Sequence, residues 1–405
     1  MPRNPGARRG GPVTLLSVGH ACVDVYQGTV AALVPFFVAE RGWGYAAASG
    51  VVLAASLLSS VVQPSFGALT DRWALPWLLP VSTLAAGAGI ALSGVCGSYR
   101  LTLAAVALSG IGVAAYHPEA ARVARVAGRG GHTAMGWFSL GGNLGFATAP
   151  LLVWAVVAVD GLRGSPLLAV PAVAGAVASG VALRGTRRVA AETAGGSARV
   201  ADGRDDWGSF ARLSGAVVCR SVVFLGLSTF ISLYVRQRTG GGAVAGTAAL
   251  FVLYLGGAVG TVAGGRLAAR FRRVTVVRWA YALTVPAVAG VVLVPGPALY
   301  VFVALTSAGL YVPFSLHVTL GQDYLPRRMG TASGVTLGLT VSVGGIASPV
   351  LGAVADATSL RTALVPLIAL PVIGWLLLRT LREPEPPRAA EGPATTARSG
   401  TATAR

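Results

Sequence analysis

Residues 66–72 read FGALTDR, and residues 264–270 read GGRLAAR, about 198 residues further along the chain. Nearly the same offset relates Gly42 to Gly240. The chain is therefore a faint duplication, in which each copy holds six apolar stretches long enough to cross a membrane. A duplicated six-span unit is typical of transporters that alternate access by rocking one half against the other.

The twelve apolar stretches are each close to the roughly 20 residues that cross the hydrocarbon of a bilayer. We place them at 13–39, 46–70, 75–96, 100–121, 133–158, 166–184, 210–235, 245–269, 274–294, 298–320, 330–354 and 361–381. The chain is 54% hydrophobic and 11% charged, whereas a soluble domain would carry about a quarter charged residues. We therefore predict an all-α integral membrane protein with 12 transmembrane helices in two pseudo-symmetric six-helix bundles.

A polar, arginine-rich break separates the two sets of spans. We predict a cytoplasmic tail over 1–12, an N-terminal six-helix bundle over 13–184, a cytoplasmic linker over 185–208, a C-terminal six-helix bundle over 209–382 and a disordered tail over 383–405. The last segment lacks large apolar residues, which is a composition typical of disorder.

All 32 basic residues are arginines, and 25 of them fall on the side that holds both termini and the linker. Because positively charged loops are retained in the cytoplasm during insertion, we predict that both termini are cytoplasmic. The net charge of +18 is then a topology signal and does not indicate a nucleic-acid partner. The three cysteines show no metal-type spacing and no paired framework.

The segment GALTDR at 67–72 resembles the signature loop of the major facilitator superfamily, G-x-L-x-D-R. The glycine and basic residues that usually follow are missing, because WALP stands at 73–76. In that superfamily the Asp clamps neighbouring cytoplasmic helix ends in the outward-open state. The resemblance implies the major facilitator fold, with Gly67, Asp71 and Arg72 as gate residues.

Five further segments extend the resemblance to about residues 15–380. They are GHACVDVYQG at 19–28, YHPEAARVA at 116–124, GGNLGFA at 141–147, RSVVFLGLSTF at 220–230 and the glycine-rich stretch 321–345. Together they resemble the fosmidomycin resistance branch, a set of bacterial drug efflux proteins. This resemblance implies a proton-coupled antiporter in the bacterial inner membrane that exports a small organic compound or antibiotic. We expect a monomer without a cofactor and without enzymatic activity, whose partners are protons, the substrate and the lipid bilayer.

An ionisable side chain inside the bilayer is costly and is a functional candidate by default. Asp24 lies about 11 residues into the first span, ~17 Å deep and near the midplane. His20 is one turn earlier on the same helix face, and Gln27 lies close to that face. We predict that Asp24 couples transport to protons and that His20 and Gln27 contact substrate. The alternative is a structural carboxylate held in a helix-to-helix pair.

Arg220 lies about ten residues into the seventh span, also near the midplane. An arginine at this depth is favourable only if it faces an acid or an anionic ligand. We predict that Arg220 lines the central cavity and binds substrate, and its partner is Asp24, Glu119 or the substrate itself. A guanidinium can hold a carboxylate or phosphonate in bidentate geometry.

The fourth and fifth spans supply three more candidates. Glu119 is predicted to carry a second proton, with His117 tuning it, because a partly desolvated carboxylate can load and release a proton near neutral pH. The alternative is a pair between Glu119 and Arg122, three residues further along. Asn143 offers a donor and an acceptor within the glycine-rich fifth span, and we predict a substrate contact there.

Gln322 and Asp323 lie at the cytoplasmic end of the tenth span, and we predict that they belong to the gate. His132 and His317 have no polar cluster around them in the sequence and receive no role.

Two other functions compete with the antiporter. A symporter that imports an organic anion would have the same fold, so only the direction of coupling separates the two. An intramembrane enzyme would use His20, Asp24, His117 and Glu119 around a metal. No His-Glu-x-x-His helix and no second pair at ligand spacing accompanies them, so we predict neither a metal site nor a catalytic residue.

Overall fold

The computed structural model describes residues 11–129, 132–190 and 204–384. The side chains of Asp71 and His132 lie outside this description, as do most of the two predicted tails and residues 191–203 of the predicted linker. Within the described ranges the regular structure is entirely helical.

Fifteen α-helices form the described part of the chain. They are α1 Gly11–Arg41, α2 Tyr45–Arg72, α3 Leu78–Ser93, α4 Tyr99–Ala127, α5 His132–Asp160, α6 Val170–Ala190, α7 Trp207–Thr239, α8 Gly242–Ala268, α9 Arg273–Leu293, α10 Leu299–Tyr311, α11 Phe314–Tyr324, α12 Met329–Ser333, α13 Thr340–Ala357, α14 Leu360–Leu364 and α15 Ala369–Leu378.

Several of these helices join into single passes across the bundle. A π-helical stretch, Gly334–Leu339, connects α12 to α13, and a 3-10 turn, Val365–Ile368, connects α14 to α15. Among the described residues, nine helical runs are long and apolar enough to cross a membrane. One of them, Ala134–Thr186, has 53 residues and includes most of α5 and of α6. The described helices are compatible with twelve passes, and the prediction of an all-α membrane protein is confirmed.

The duplication is visible in the backbone as well as in the sequence. Gly42 follows α1 with φ of 64°, and its repeat counterpart Gly240 caps α7 with φ of 67°. Left-handed backbone of this kind ends helices and strongly favours glycine, because it has no Cβ to clash. The first helix of each half is therefore followed by a glycine in the same left-handed conformation. At the end of the first half, α6 continues to Ala190, beyond the predicted end of the sixth span.

Glycines bring α5 against α1 at van der Waals distance. A methyl group on Gly141 would overlap the carbonyl oxygen of Ser17, and one on Gly145 would overlap that of Ala21. In lipid, small residues stabilise such helix pairs because they let the two backbones approach closely. The glycine-rich segment of α5 thus fixes the side chains of α1 relative to those of α5.

The two halves meet mainly through α2 with α13 and through α5 with α8. We call the end of the bundle that holds Gly11 and Trp207 the linker end, and the opposite end the far end. At the far end, Gly352 of α13 packs against Tyr45 of α2. At the linker end, a methyl group on Gly67 would meet no atom within 4 Å. The contact between α2 and the second half is therefore concentrated towards the far end.

Candidate functional site

Two histidines flank the one carboxylate in the middle of α1. Nε2 of His117, from α4, lies 3.1 Å from Oδ1 of Asp24. Nε2 of His20, one turn earlier on α1, lies 3.3 Å from Oδ2 of the same carboxylate. The side chains of Asp24 and His117 remain 13% and 22% exposed, so small molecules or ions can reach the group. We call these three residues the His–Asp–His cluster.

The other nitrogen of each ring is held by a backbone carbonyl. Nδ1 of His20 donates to the oxygen of Phe138 at 2.8 Å, and Nδ1 of His117 donates to that of Val113 at 2.8 Å. A carbonyl only accepts, so both Nδ1 atoms must carry hydrogen. In the neutral rings both Nε2 atoms are then acceptors, and they face a carboxylate that is also an acceptor. The cluster is stabilised only when at least one cation lies between these groups.

Neighbouring residues hold the cluster rigidly. The ring of His20 stacks on Phe138 with centroids 4.1 Å apart. Gly142 of α5 leaves the space that the cluster fills, because a methyl group there would lie 2.6 Å from Cε1 of His20. The sequence places His20 and Asp24 together by helix periodicity. Only the packing of α4 and α5 on α1 brings in His117.

Glu119 does not join the cluster. This fully buried carboxylate forms a bidentate pair with Arg122, in which Nε of the arginine lies 2.9 Å from Oε2. The pair that the sequence allowed is therefore present, and the proton-carrying role of Glu119 stays a prediction.

The ligand atoms of the His–Asp–His cluster lie within 4.8 Å of one another, a spacing that a single metal ion could also bridge. Glu119, the fourth residue of the intramembrane-enzyme hypothesis, pairs with Arg122 instead.

Asn143 lies where the two halves meet. Atoms of Asn143 and Tyr311 converge on Gly257 of α8, since a methyl group there would lie 3.3 Å from Oδ1 of Asn143 and 3.1 Å from the ring of Tyr311. An amide that faces the opposite half in this way is well placed to contact a molecule held between the halves.

Four aromatic rings surround this contact, and none of them was predicted from the sequence to be functional. The ring of Phe146, from α5, lies 4.4 Å from that of Tyr254 and 6.3 Å from that of Phe224. Phe224 in turn lies 5.5 Å from Tyr311. We call these four residues the interface aromatic group. These rings lie in the middle of glycine-rich spans, a position that can indicate close helix packing. Hydropathy alone does not distinguish such rings from lipid-facing ones.

Arg220 lies within the second half. Its Nη1 donates to the carbonyl of Leu310 at 3.1 Å, and its guanidinium lies 5.2 Å from the ring centroid of Phe314. Among the described residues, neither Asp24 nor Glu119 forms an ion pair with it. The sequence left three partners open for Arg220. In the structure it pairs with neither of the two acids, and a substrate partner stays a prediction.

The predicted gate residues make contacts within their own halves. Arg72 is exposed and stacks on Trp73 at 4.8 Å. Gln322 donates to Oγ of Ser333 at 2.9 Å. Gly67 lies in open space, and the side chain of Asp71 is outside the described part of the structure.

Asp323 and Gln27 complete the set of predicted residues. Asp323 pairs with Nη1 of Arg273 at 2.6 Å, which joins α11 to α9. Gln27 is exposed on α1, while its neighbour Tyr26 is fully buried. Within the described ranges, no hydrogen bond or ion pair links either residue to the His–Asp–His cluster.

Comparison with known proteins connects this geometry to a family. The profile described as Major Facilitator Superfamily matches residues 16–349. The chain is 28% identical over 379 residues to the Fosmidomycin resistance protein of Escherichia coli (strain K12), which covers 90% of this chain and 91% of that protein. It is also 28% identical over 378 residues to the uncharacterized MFS-type transporter YfnC of Bacillus subtilis (strain 168), covering 89% and 90%.

Solved structures agree on the fold. A bacterial homolog of the human lysosomal transporter Spinster, in an inward-facing and occupied conformation, superposes with a TM-score of 0.69 at 14% identity and covers 93% of this chain and 97% of its own. The outward conformation of FucP gives a TM-score of 0.62 at 16% identity, with 92% and 99% covered. These similarities confirm the resemblance to transporters of the fosmidomycin resistance branch and the predicted fold. The chain belongs to the Major Facilitator Superfamily.

Proposed function

We propose that this transporter exports a small organic compound in exchange for protons by alternating access. The observation that carries the proposal is the His–Asp–His cluster, in which three acceptors converge near the middle of the first helix. Without an added proton the group has a charge of −1, with one proton it is neutral, and with two it is positive. Each proton changes the charge beside the space between the halves, and so changes the relative stability of the two states.

The hydrogen bonds make this exchange possible without rebuilding the site. Both histidines stay anchored through Nδ1, so a proton can bind or leave at Nε2 while the rings keep their orientation. A buried carboxylate that is locked by arginine, as Glu119 is, lacks this freedom. We therefore assign the proton to Asp24 with His20 and His117, and we assign Glu119 a structural role.

The proposed substrate surface is Asn143 with the interface aromatic group. Rings in the space between two halves offer apolar contact area, and the amide offers one donor and one acceptor. Gln27 is a further candidate, since it is exposed on the helix that carries Asp24. The name of the E. coli relative supports an antibiotic as one class of substrate.

We propose one gate at each end of the bundle. Contacts between α2 and α13 close the far end in this state, and Gly67, Asp71 and Arg72 would close the linker end in the other state. We further propose that the linker end faces the cytoplasm of a bacterial cell, because the arginines concentrate there. Reporter enzymes fused after residue 384 and after Gly97 should show cytoplasmic and external activity, respectively, and the reverse pattern would overturn the orientation.

The test of proton coupling replaces Asp24 by Asn. A tolerance screen of expressing cells against antibiotics, phosphonates included, first identifies a transported compound. Purified protein is then placed in liposomes that contain a pH-sensitive dye. We expect addition of the compound to move protons in the opposite direction with wild-type protein, and Asp24→Asn to abolish that proton movement.

The matched control is Glu40→Gln, which removes the other carboxylate of α1. Glu40 lies near the far end and accepts from the backbone N–H of Leu162 at 2.9 Å, away from the cluster. Its replacement should leave coupling intact. Full proton movement in Asp24→Asn would remove the cluster from the mechanism, and proton movement in the same direction as the compound would identify a symporter. One equivalent of bound metal that disappears in His117→Ala would replace the proton by a metal ion.

A further inference from the structure

We propose that the turn between α8 and α9 binds the phosphate group of an anionic phospholipid. The turn lies at the linker end of the second half, and its binding residues are Arg266, Arg270, Phe271, Arg272 and Trp279. We call these five residues the basic–aromatic surface. The proposal goes beyond the proposed function, because it concerns the lipid around the protein and requires neither proton coupling nor export.

The first observation is a difference in charge between the two copies of the repeat. Residues 66–75 of the first copy contain one acid and one arginine, whereas the equivalent residues 264–273 contain four arginines and no acid. Ala269 stands where the first copy has Asp71, and Arg266 stands where it has Ala68. The second copy therefore lacks the acid that could pair with its own arginines.

Three of these four arginines are exposed. Arg266 lies in the last turn of α8, Arg270 lies in the connecting turn, and Arg272 is the N-cap residue of α9. Within the described ranges, none of the three forms an ion pair. The N-terminus of α9 adds to the positive potential of this turn, because a helix is positive at that end.

The fourth arginine already engages the nearby acids. Nη1 of Arg273 lies 2.6 Å from Oδ2 of Asp323, and its Nε lies 3.0 Å from Oε1 of Glu383. Glu383 also accepts from the backbone N–H of Val274 at 2.9 Å. The other three arginines thus form a local excess of positive charge that these acids do not offset.

Two aromatic rings place this charge at the edge of the bilayer. Phe271 is 45% exposed, Trp279 is 51% exposed, and their ring centroids lie 5.1 Å apart. Leu283, one turn after Trp279, is exposed on the same face of α9, so this face is apolar and open to lipid. Tryptophans near the ends of spans lie at the level of the lipid headgroups. Arg273 precedes Trp279 by six residues, so the turn lies about 9 Å further out along the helix axis.

An anionic phospholipid matches both parts of the surface. Phosphate oxygens accept bidentate hydrogen bonds from guanidinium groups, and acyl chains can pack beside the two rings. Basic clusters just outside a span favour anionic lipids. The retention of positive loops in the cytoplasm explains arginines in any loop at this end, but it does not explain their concentration in one copy of the repeat beside two exposed rings.

The test measures lipid binding by the purified full-length protein in an uncharged detergent. Dioleoyl phosphatidylglycerol or dioleoyl phosphatidylcholine is titrated into the micelles, and the unfolding temperature is followed. We expect phosphatidylglycerol to raise the unfolding temperature saturably and at a lower concentration than phosphatidylcholine. The difference between the two lipids should shrink as salt is added, because salt screens exposed charges.

Removal of the three free arginines should remove the preference. Each arginine near an anionic lipid surface contributes about 5-fold in affinity, so Arg266→Gln, Arg270→Gln and Arg272→Gln together should weaken phosphatidylglycerol binding by about 100-fold. Arg270→Gln alone should weaken it by about 5-fold, and this single variant serves if the triple variant yields little folded protein.

The matched control removes the same charge elsewhere at the linker end. Arg125→Gln, Arg184→Gln and Arg327→Gln together replace three other exposed arginines and should leave the preference for phosphatidylglycerol unchanged. An equal loss in this control would overturn the proposal, since the effect would then depend on net charge alone. Equal binding of the two lipids by the wild-type protein would overturn it without any variant.

Inorganic phosphate distinguishes the lipid from a free anion. Phosphate at matched ionic strength should not reproduce the effect of phosphatidylglycerol. The same saturable rise with phosphate alone, abolished in the triple variant, would assign the arginines to a free anion and would overturn the lipid as their partner. Proton movement in Asp24→Asn does not involve these residues, so this proposal and the proposed function can fail independently.

Discussion

Replacing Asp356 at the far end would measure how strongly the contact between the two halves stabilises this closed state. Its carboxylate, on α13 of the second half, accepts from the backbone N–H of Tyr45 at 2.7 Å and from that of Ala46 at 2.9 Å. These are the first residues of α2, whose own N-cap, Gly44, has no side chain to offer. One half thus caps a helix of the other. Replacing Asp356 by Ala removes both hydrogen bonds and a negative charge from the positive end of that helix.

The magnitude follows from helix capping. Loss of an N-cap side chain costs about 1 kcal/mol, and loss of a carboxylate from an exposed helix N-terminus costs about 0.3–1 kcal/mol. The sum is about 1–2 kcal/mol, which changes an equilibrium between two states by a factor of about 5–30. If the far end opens during the cycle, the contact exists in one state only, and the whole difference acts on the balance between the states.

The assay measures the distance across the far end. Spin labels at Gly97→Cys in the first half and Thr358→Cys in the second, in a background without the native cysteines, report the populations of closed and open far ends. We expect Asp356→Ala to increase the ratio of open to closed by about 5–30-fold, and Asp356→Asn to have a smaller effect because it keeps an acceptor. Asp160→Ala, which removes another exposed acid at this end, should change nothing. Identical distance distributions in Asp356→Ala and wild type would refute the reasoning.

Three further predictions concern stability and coupling. Gly142→Ala should uncouple protons from transport, because the added methyl group would lie 2.6 Å from Cε1 of His20; Gly136→Ala, in the same helix but in open space, should not, and equal dye responses would contradict the packing argument. Glu119→Gln should lower the unfolding temperature and leave proton movement per transported molecule unchanged, whereas loss of coupling in well-folded protein would return Glu119 to the proton path. Asp206 caps α7 by accepting from the N–H of Ser209, and this bond lowers the pKa of Asp206. Its stabilising effect, about 1 kcal/mol, is present above the usual aspartate pKa of about 4 and is lost as pH falls through the lower folded value. Asp206→Ala should therefore destabilise the protein at pH 7, and this effect should shrink in thermal unfolding as the pH falls below about 4; an effect of constant size would exclude this cap as the cause.

The position of a residue along its helix could be predicted from the sequence, but the direction in which its side chain points could not. Counting residues placed Asp24 and Arg220 near the midplane, and helix periodicity placed His20 on the face of Asp24. Both side chains sit in apolar helices, and hydropathy does not distinguish a helix face that contacts lipid from one that packs against protein. The contact of Arg220 with Leu310 and Phe314 could therefore be found only from the packed helices.

Contacts within one helix could be predicted from the sequence, whereas contacts between helices could not. The pair between Glu119 and Arg122 was foreseeable because three residues separate them on one helix. The contact between Asp24 and His117 joins residues 93 positions apart, and it depends on α4 and α5 packing on α1. The interface aromatic group likewise needs four helices from both halves.

The sequence by itself determined the membrane class, the duplication, the position of Asp24 and Arg220 midway along their helices and the glycines that end the first helix of each half. These features depend on local composition and on periodicity along one helix. The tertiary structure alone decided that two histidines anchor on carbonyls and face Asp24, and that Arg220 is buried against Leu310 and Phe314. Those arrangements depend on how each helix is rotated about its axis, and this rotation is set by the neighbouring helices, which the order of residues in one span does not specify.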